Sequence, residues 1–281
     1  MFNKKVIFSV IAMLMMVLMS VGMVSAQDIT VQGSSTVLPI AQKAAEVYMD
    51  NNPNANISVR GGGSGNGIAA LIDGSTDIAD ASRFIKFEEV ENAVENGIYP
   101  VPHRVAMDGI AVVVNNTNPV EDLSLEEIKS IYTGKISNWS QLDGVDFDQE
   151  IVIVSRDSSS GTFGVFNDVV NDGKIDGNSL RLTPTALTQS SNGDIAGTVA
   201  ETKGAIGYVG LGYLSDDLKA IKVDGVKPNN KTVANGQFPI ARPLYMFTDG
   251  WPQGEVKKFL NFVLSSEGQK IAEEIGYVPL H

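Results

Sequence analysis

The sequence predicts an α/β protein of two lobes joined by paired chain crossovers. From residue 27 to about 105, short β-branched runs alternate with amphipathic stretches, the pattern of a parallel sheet covered by helices. A second series of the same kind opens near residue 108. A late strand over 241–247 and two helical stretches then bring the chain back, and a cleft between lobes is a common place for a ligand.

The chain has 281 residues and no cysteine. Lys4 and Lys5 precede an apolar run over 6–24, and Val24-Ser25-Ala26 offers a small-residue cleavage site. Residues 1–26 therefore read as a secretory signal peptide. The alternative is a retained anchor, because the run approaches the length that spans a bilayer. Either way the protein is exported, to a periplasm, the cell surface or the medium. Without cysteine it has no disulfide framework and no lipid-modified cysteine at its mature terminus. The net charge is −12, and loss of the two leader lysines makes it more acidic. Nucleic acid and anionic membrane call for basic patches, so both are disfavoured. An anionic ligand would have to be held by local donors against the overall field.

Residues 29–31 form the first expected strand. Gln32-Gly33-Ser34-Ser35-Thr36-Val37-Leu38-Pro39 turns from it into a helix over 39–50, whose Ile40, Ala44, Ala45 and Tyr48 share a face. Pro39 is tolerated in the first turn. A strand over 57–60 leads through Arg60-Gly61-Gly62-Gly63-Ser64-Gly65-Asn66-Gly67 into a helix over 67–73, with Ile68, Leu71 and Ile72 at helical spacing. The third strand, 76–81, ends in Asp77-Ile78-Ala79-Asp80-Ala81-Ser82-Arg83. Ligand sites in open α/β sheets lie beyond such carboxyl ends, which makes Ser82 and Arg83 candidates. Asp80 either accepts a proton from a partly protonated ligand or pairs with Arg83, and the ion pair is the preferred reading. A helix over 87–96 follows.

The second series opens on the continuous apolar strand 108–115, expected to be buried on both faces. Leu125, Ile128, Ile131 and Tyr132 make a helix, and Trp139 reads as a core anchor. The run 151–154 meets the turn Arg156-Asp157-Ser158-Ser159-Ser160-Gly161-Thr162, after which Phe163, Phe166 and Val170 keep helical spacing. Residues 204–210 form a glycine-rich strand, and 215–238 are polar and turn-rich. Val256, Phe259, Leu260 and Val263 line one closing helix, Ile271 and Ile275 the other.

Three of these junctions share one design. A helix N-terminus leaves about four N–H groups unpaired and carries partial positive charge. Small hydroxyl residues and glycine let an oxyanion approach them, and Arg156 adds a fork of donors. Singly, each junction is also an ordinary Ser/Thr cap. Together, and with more glycine in the second than a cap requires, they point to one small-anion site.

These segments, with Leu125-Glu126-Glu127-Ile128, Trp139, Gly204-Ala205-Ile206-Gly207-Tyr208-Val209 and Gly276-Tyr277-Val278-Pro279-Leu280, resemble the phosphate-binding proteins that feed ABC phosphate importers, within the periplasmic-type solute-binding proteins. The resemblance runs in order through the mature chain, and the Arg156–Thr162 turn is its most specific part. It implies a class II periplasmic-binding fold, each lobe a mixed or parallel sheet flanked by helices, with hinge strands between. Lobe 1 would hold 27–106 plus 240–281, and lobe 2 would hold 107–239. The implied ligand is inorganic phosphate, bound without cofactor or metal by a monomer whose partner is a membrane permease. Thr36 and Val37 would give hydroxyl and backbone donors beside Ser35, and Ser64 a hydroxyl. Arg156, Ser160, Gly161 and Thr162 would contribute from the second lobe, with Asp157 bracing Arg156. One position departs from part of the family. Where some members carry an aspartate that takes the proton of hydrogen phosphate and excludes sulfate, this chain has Ser82. Selectivity would then rest on Ser82's lone pairs, on Asp80 or on a main-chain carbonyl.

Other functions find less material. A binder of sulfate or molybdate would use the same donors. An enzyme, for instance an extracellular phosphatase, lacks a Ser/His/acid set, because His103 and His281 are the only histidines and neither adjoins a candidate nucleophile. No G-x-x-x-x-G-K-[ST] or H-E-x-x-H occurs, and Gly62-Gly63-Ser64-Gly65-Asn66 lacks the last glycine of a nucleophile elbow. A sensor or adhesion module of the same fold is the third class.

Overall fold

The computed structural model describes residues 28–171 and 182–281, so the leader expected over 1–26 lies outside the described residues. Strands β1 (Asp28–Gly33), β2 (Asn56–Arg60) and β3 (Ile78–Ala81) alternate with helices α1 (Leu38–Asn51), α2 (Ser64–Ile72) and α3 (Phe87–Glu95). β1 lies between the other two and parallel to both, Ile29 opposite Ile57 and Val31 opposite Val59. Alternate β-branched residues fill the pleat, and Ile29 and Val31 are buried between exposed or half-buried neighbours.

The long β4 (Pro100–Asn115) leaves this unit. After it come β5 (Asp122–Leu123), α4 (Leu125–Tyr132), β6 (Val152–Arg156), α5 (Gly161–Val170), β7 (Leu187–Gln189), α6 (Asn192–Glu201) and β8 (Ala205–Gly210). The chain continues through β9 (Leu218–Ala220), β10 (Lys222–Val223), α7 (Asn230–Ala234), β11 (Ala241–Asp249), α8 (Gly254–Val263) and α9 (Ser266–Ile275). The main sheet runs β2-β1-β3-β11-β4-β8-β6-β7, with β9 also on β4. β4 and β11 are antiparallel and cross between the lobes. β4 pairs with β11 from Pro100 to Gly109, then with β8 from Ile110 to Val114.

The apolar interior divides at this crossing. One core gathers Ile110, Val112, Trp139, Phe166 and Tyr208. The other gathers Ile29, Val31, Ile40, Tyr48, Phe259 and Tyr277, with Ile68, Leu71 and Phe247 in a satellite. Burying each large side chain stabilises the fold by ~1.5–3 kcal/mol. Trp139 is fully buried, as expected of an anchor, and its indole N–H donates to the Gly204 carbonyl at 3.0 Å. No helix among the described residues is long and apolar enough to cross a membrane.

Several readings change, among them the strand expected over 108–115, which begins already at Pro100. α2 starts at Ser64 rather than 67, because Gly63 at φ 99° ends the loop in a conformation that other residues rarely adopt. β7 and α6 were not expected. α6 has only Ile195 and Val199 as large residues on its buried face, too few for a periodic signal. The turn-rich stretch 215–238 contains β9, β10 and α7.

Candidate anion-binding site between the lobes

Two helix N-termini meet across the cleft. Ser160 caps α5, its Oγ accepting from the Phe163 amide at 3.1 Å. The amides of Gly161 and Thr162 come first in that helix and have no intrahelical carbonyl to pair with. A Cβ on Gly161 would stand 2.4 Å from Ser64 Oγ and 2.7 Å from Ser82 Oγ, so only glycine lets this helix end reach the other lobe. Ser64 opens α2, and its Oγ accepts from the Ser82 amide at 3.0 Å. The Gly65 amide closes the contact by donating to the Ser159 carbonyl at 2.8 Å.

Beside this lies a cluster of hydroxyls, amides and guanidinium groups. Arg156 Nη1 donates to Ser35 Oγ at 3.2 Å, while its Nε and Nη2 donate to the carbonyls of Gln189 and Ser190 at 3.1 and 2.7 Å. Asn192 Nδ2 donates to Ser35 Oγ at 3.0 Å and to Thr36 Oγ1 at 2.9 Å. Arg242 Nη2 reaches Thr36 Oγ1 at 3.1 Å and Thr162 Oγ1 at 3.0 Å. All of these side chains are buried.

A count of protons and lone pairs gives the cluster a direction. Ser35 Oγ already accepts from Arg156 and Asn192, so its own proton is left to donate. Thr36 Oγ1 accepts from Asn192 and Arg242, so across the 3.0 Å contact it donates to Thr162. Thr162 then accepts from Thr36, the one Nη2 proton of Arg242 not held by Asp108 is shared between the two threonines, and the Thr162 proton is the one that remains for a ligand. Such an arrangement presents donors to an oxyanion.

The charges are arranged to match. Burial lowers the pKa of the Arg156 guanidinium and the Asp157 charge opposes this, yet arginine stays ionised in proteins. Asp157 does not brace Arg156 by a hydrogen bond. It accepts from the amide of Ser159 at 2.8 Å and from its hydroxyl, and so fixes the loop, while two backbone carbonyls hold the arginine. The ion pair expected between Asp80 and Arg83 does not form. Arg83 is bound bidentately by Glu89 at 2.8 and 2.6 Å, and the wholly buried Asp80 carboxyl has no hydrogen-bond partner. Burial pushes its pKa well above the usual carboxylate range.

Of the nine residues expected in the site, Ser35, Thr36, Ser64, Ser82, Arg156, Ser160, Gly161 and Thr162 converge here. Val37 lines the core around Ile29 and Ile40, and its amide points to Ser34 Oγ at 3.4 Å, as that of Thr36 does at 3.1 Å. Asn192, Arg242 and Asp108 were not expected. Gln189-Ser190-Ser191-Asn192 is a fourth strand–hydroxyl–helix junction, with Ser191 as cap, and that pattern could have revealed Asn192. Nothing local marks Arg242 on its strand.

A PBP superfamily domain matches residues 23–267. The phosphate-binding protein PstS of Bacillus subtilis is 38% identical over 255 residues, which cover 90% of this chain and 81% of that protein. SphX of Synechococcus elongatus is 34% identical over 268 residues, 90% of this chain and 77% of that one. The phosphate-bound crystal structure of a Clostridium perfringens protein, assigned to the phosphate ABC transporter substrate-binding class, superimposes with a TM-score of 0.82. It is 34% identical and covers 91% of this chain and 100% of that one. An ABC-type phosphate transport receptor from Vibrio cholerae gives 0.71 at 33% identity, over 89% of this chain and 99% of its own. The chain belongs to the PBP superfamily and, within it, to the family of the phosphate-binding protein PstS.

Proposed function

We propose that this chain is the extracytoplasmic substrate-binding component of an ABC phosphate importer, which captures inorganic phosphate between its lobes and delivers it to a membrane permease. The observation that carries this reading is the convergence of Arg156 with the buried hydroxyls of Ser35, Thr36, Ser64, Ser82 and Thr162 at the start of α5. The Bacillus subtilis, Clostridium perfringens and Vibrio cholerae relatives are named as phosphate-binding or phosphate-transport proteins, which supports the same ligand. In this reading Val37, Ser160 and Gly161 complete the site. Lobe 1 (27–106 plus 240–281) and lobe 2 (107–239) close as rigid halves over a monomeric, cofactor-free site, and residues 1–26 direct export.

The donors replace the anion's hydration shell, and the ligand favours the closed form by its differential affinity for it. No bond is made or broken. His103, the one histidine within the fold's interior strands, is engaged with Thr248 Oγ1 at 2.9 Å. Calorimetric titration of the ligand-stripped protein with phosphate, arsenate, sulfate and molybdate tests the proposal. Phosphate should bind tightest. Absence of saturable phosphate binding would sink it, and turnover of a phosphoester would move the chain to the enzymes. Tighter binding of sulfate would favour another oxyanion, a result that the serine at position 82 makes worth seeking.

A further inference from the structure

One guanidinium outside the expected set reaches into both lobes. Arg242 on β11 stands opposite Asp108 on β4, the two strands that cross between them. Its Nε and Nη2 donate to Asp108 Oδ2 at 3.0 and 2.8 Å, and Nη1 donates to the Ser82 carbonyl at 3.1 Å. Nη2 also faces Thr36 Oγ1 and Thr162 Oγ1, one from each side of the cleft. Asp108 is fixed in turn by the Leu211 amide, 2.9 Å from Oδ1. The two side chains are 2% and 0% exposed.

A buried ion pair contributes little net stability, because desolvation offsets the attraction, so stability alone is a poor reason for this one. Its geometry suggests another. The planar fork of arginine can hold a carboxylate with one edge and still reach two hydroxyls, which the point charge of lysine cannot do. The donation that the two threonines receive from Arg242 is also what directs the Thr36 proton to Thr162 and the Thr162 proton outward, as the proton count requires. Resting on the phosphate-binding reading above, we infer that Arg242 is a second positioning cation of the anion site. It holds the Thr36 hydroxyl against Thr162 and so aligns and polarises the Thr162 hydroxyl toward the ligand, and Asp108 sets its orientation. Because it reaches both lobes from the crossing strands, it also ties their closure to the same hydroxyls.

The test is a double-mutant cycle on phosphate affinity by calorimetry, with wild type, Arg242→Lys, Thr162→Val and the double variant, beside melting curves without ligand. Arg242→Lys keeps a charge near Asp108 and loses the fork. Each single change should weaken binding roughly ten- to hundredfold, the range of a charge-assisted hydrogen bond. The double variant should bind no worse than the weaker single one, because both remove the same contact. Effects that simply add, or wild-type affinity in Arg242→Lys, would overturn the inference and leave a structural ion pair. Should Arg242→Lys not fold, the neutral pair Asp108→Asn with Arg242→Gln replaces it. The same weakening is expected there, and wild-type affinity would again overturn the role. A wild-type protein that binds no phosphate would refute the reading of the site itself, a different outcome from tight wild-type binding with an additive cycle.

Discussion

Arg83 and Arg156 stand at the carboxyl ends of β3 and β6, and both were candidates for one anion site. They finish in opposite electrical states. Arg83 is bound by both oxygens of Glu89 and by the Phe84 carbonyl, so its charge is cancelled where it stands. Glu89 also accepts from the Lys86 amide and completes the cap of α3, which makes the pair part of the scaffold. Arg156 is held as firmly, but by two backbone carbonyls and a hydroxyl. Neutral acceptors fix an arginine's direction without cancelling its charge. On the proposed reading the difference accounts for the ligand's place, since an anion is drawn to the cation that the fold orients by neutral acceptors.

The strongest way to break this comparison is Arg156→Gln. Phosphate affinity should fall about ten- to a hundredfold or more, because at least one charge-assisted bond is lost. Calorimetry showing unchanged affinity would remove Arg156 from the site. Glu89→Gln examines the other arm. It should destabilise the protein by ~1–3 kcal/mol in denaturant titration and leave phosphate affinity at the wild-type level. A loss of affinity like that of Arg156→Gln would show that the two arginines act together.

Asp80 sharpens the contrast from the acidic side, as a buried carboxyl without partner. Its pKa is raised in the fold, so as pH rises above the unfolded value of about 3.9 the unfolded chain loses its proton first and the native state is progressively penalised. Asp80→Asn should therefore gain melting temperature over wild type as pH goes from mildly acidic to alkaline. Parallel curves for the two proteins would mean that Asp80 is not held neutral. The smallest effect concerns selectivity. Ser82→Ala should shift the phosphate-to-sulfate affinity ratio by about fivefold, near 1 kcal/mol, and Ser35→Ala should shift it less. Equal ratios in the two variants would place discrimination elsewhere.

Much of this architecture was legible before any coordinates. The runs over 57–60 and 151–154 and the apolar faces of α1, α4 and α8 are local signals, because burial on one face writes its period into the sequence. The Ser-Ser-Thr, Gly-Gly-Ser-Gly and Ser-Gly-Thr junctions were legible for a similar reason: a helix start needs caps and close backbone approach within a few residues. α6 was not, since its glycines and alanines leave two large apolar residues to report a face. The pairing of Arg83 was misread because Asp80 is near in sequence yet points into the core, whereas Glu89 returns on the next helix.

The sequence by itself determined the alternation of strands and helices, the caps, an acidic exterior and the chain-local half of each anion-binding loop. These follow from periodicity, turn chemistry and charge, which act over a few residues. Only the tertiary structure decided that Ser35, Ser64, Ser82, Thr162 and Asn192 share one cluster, and that Arg156 keeps its charge while Arg83 gives its own to Glu89. It alone placed Arg242 and Asp108 at the crossing of β4 and β11. Most of those outcomes depend on atoms that meet from distant parts of the chain, 80 and 206 positions apart in the bonds of Arg242 to Thr162 and to Thr36, and no short-range pattern records such distances.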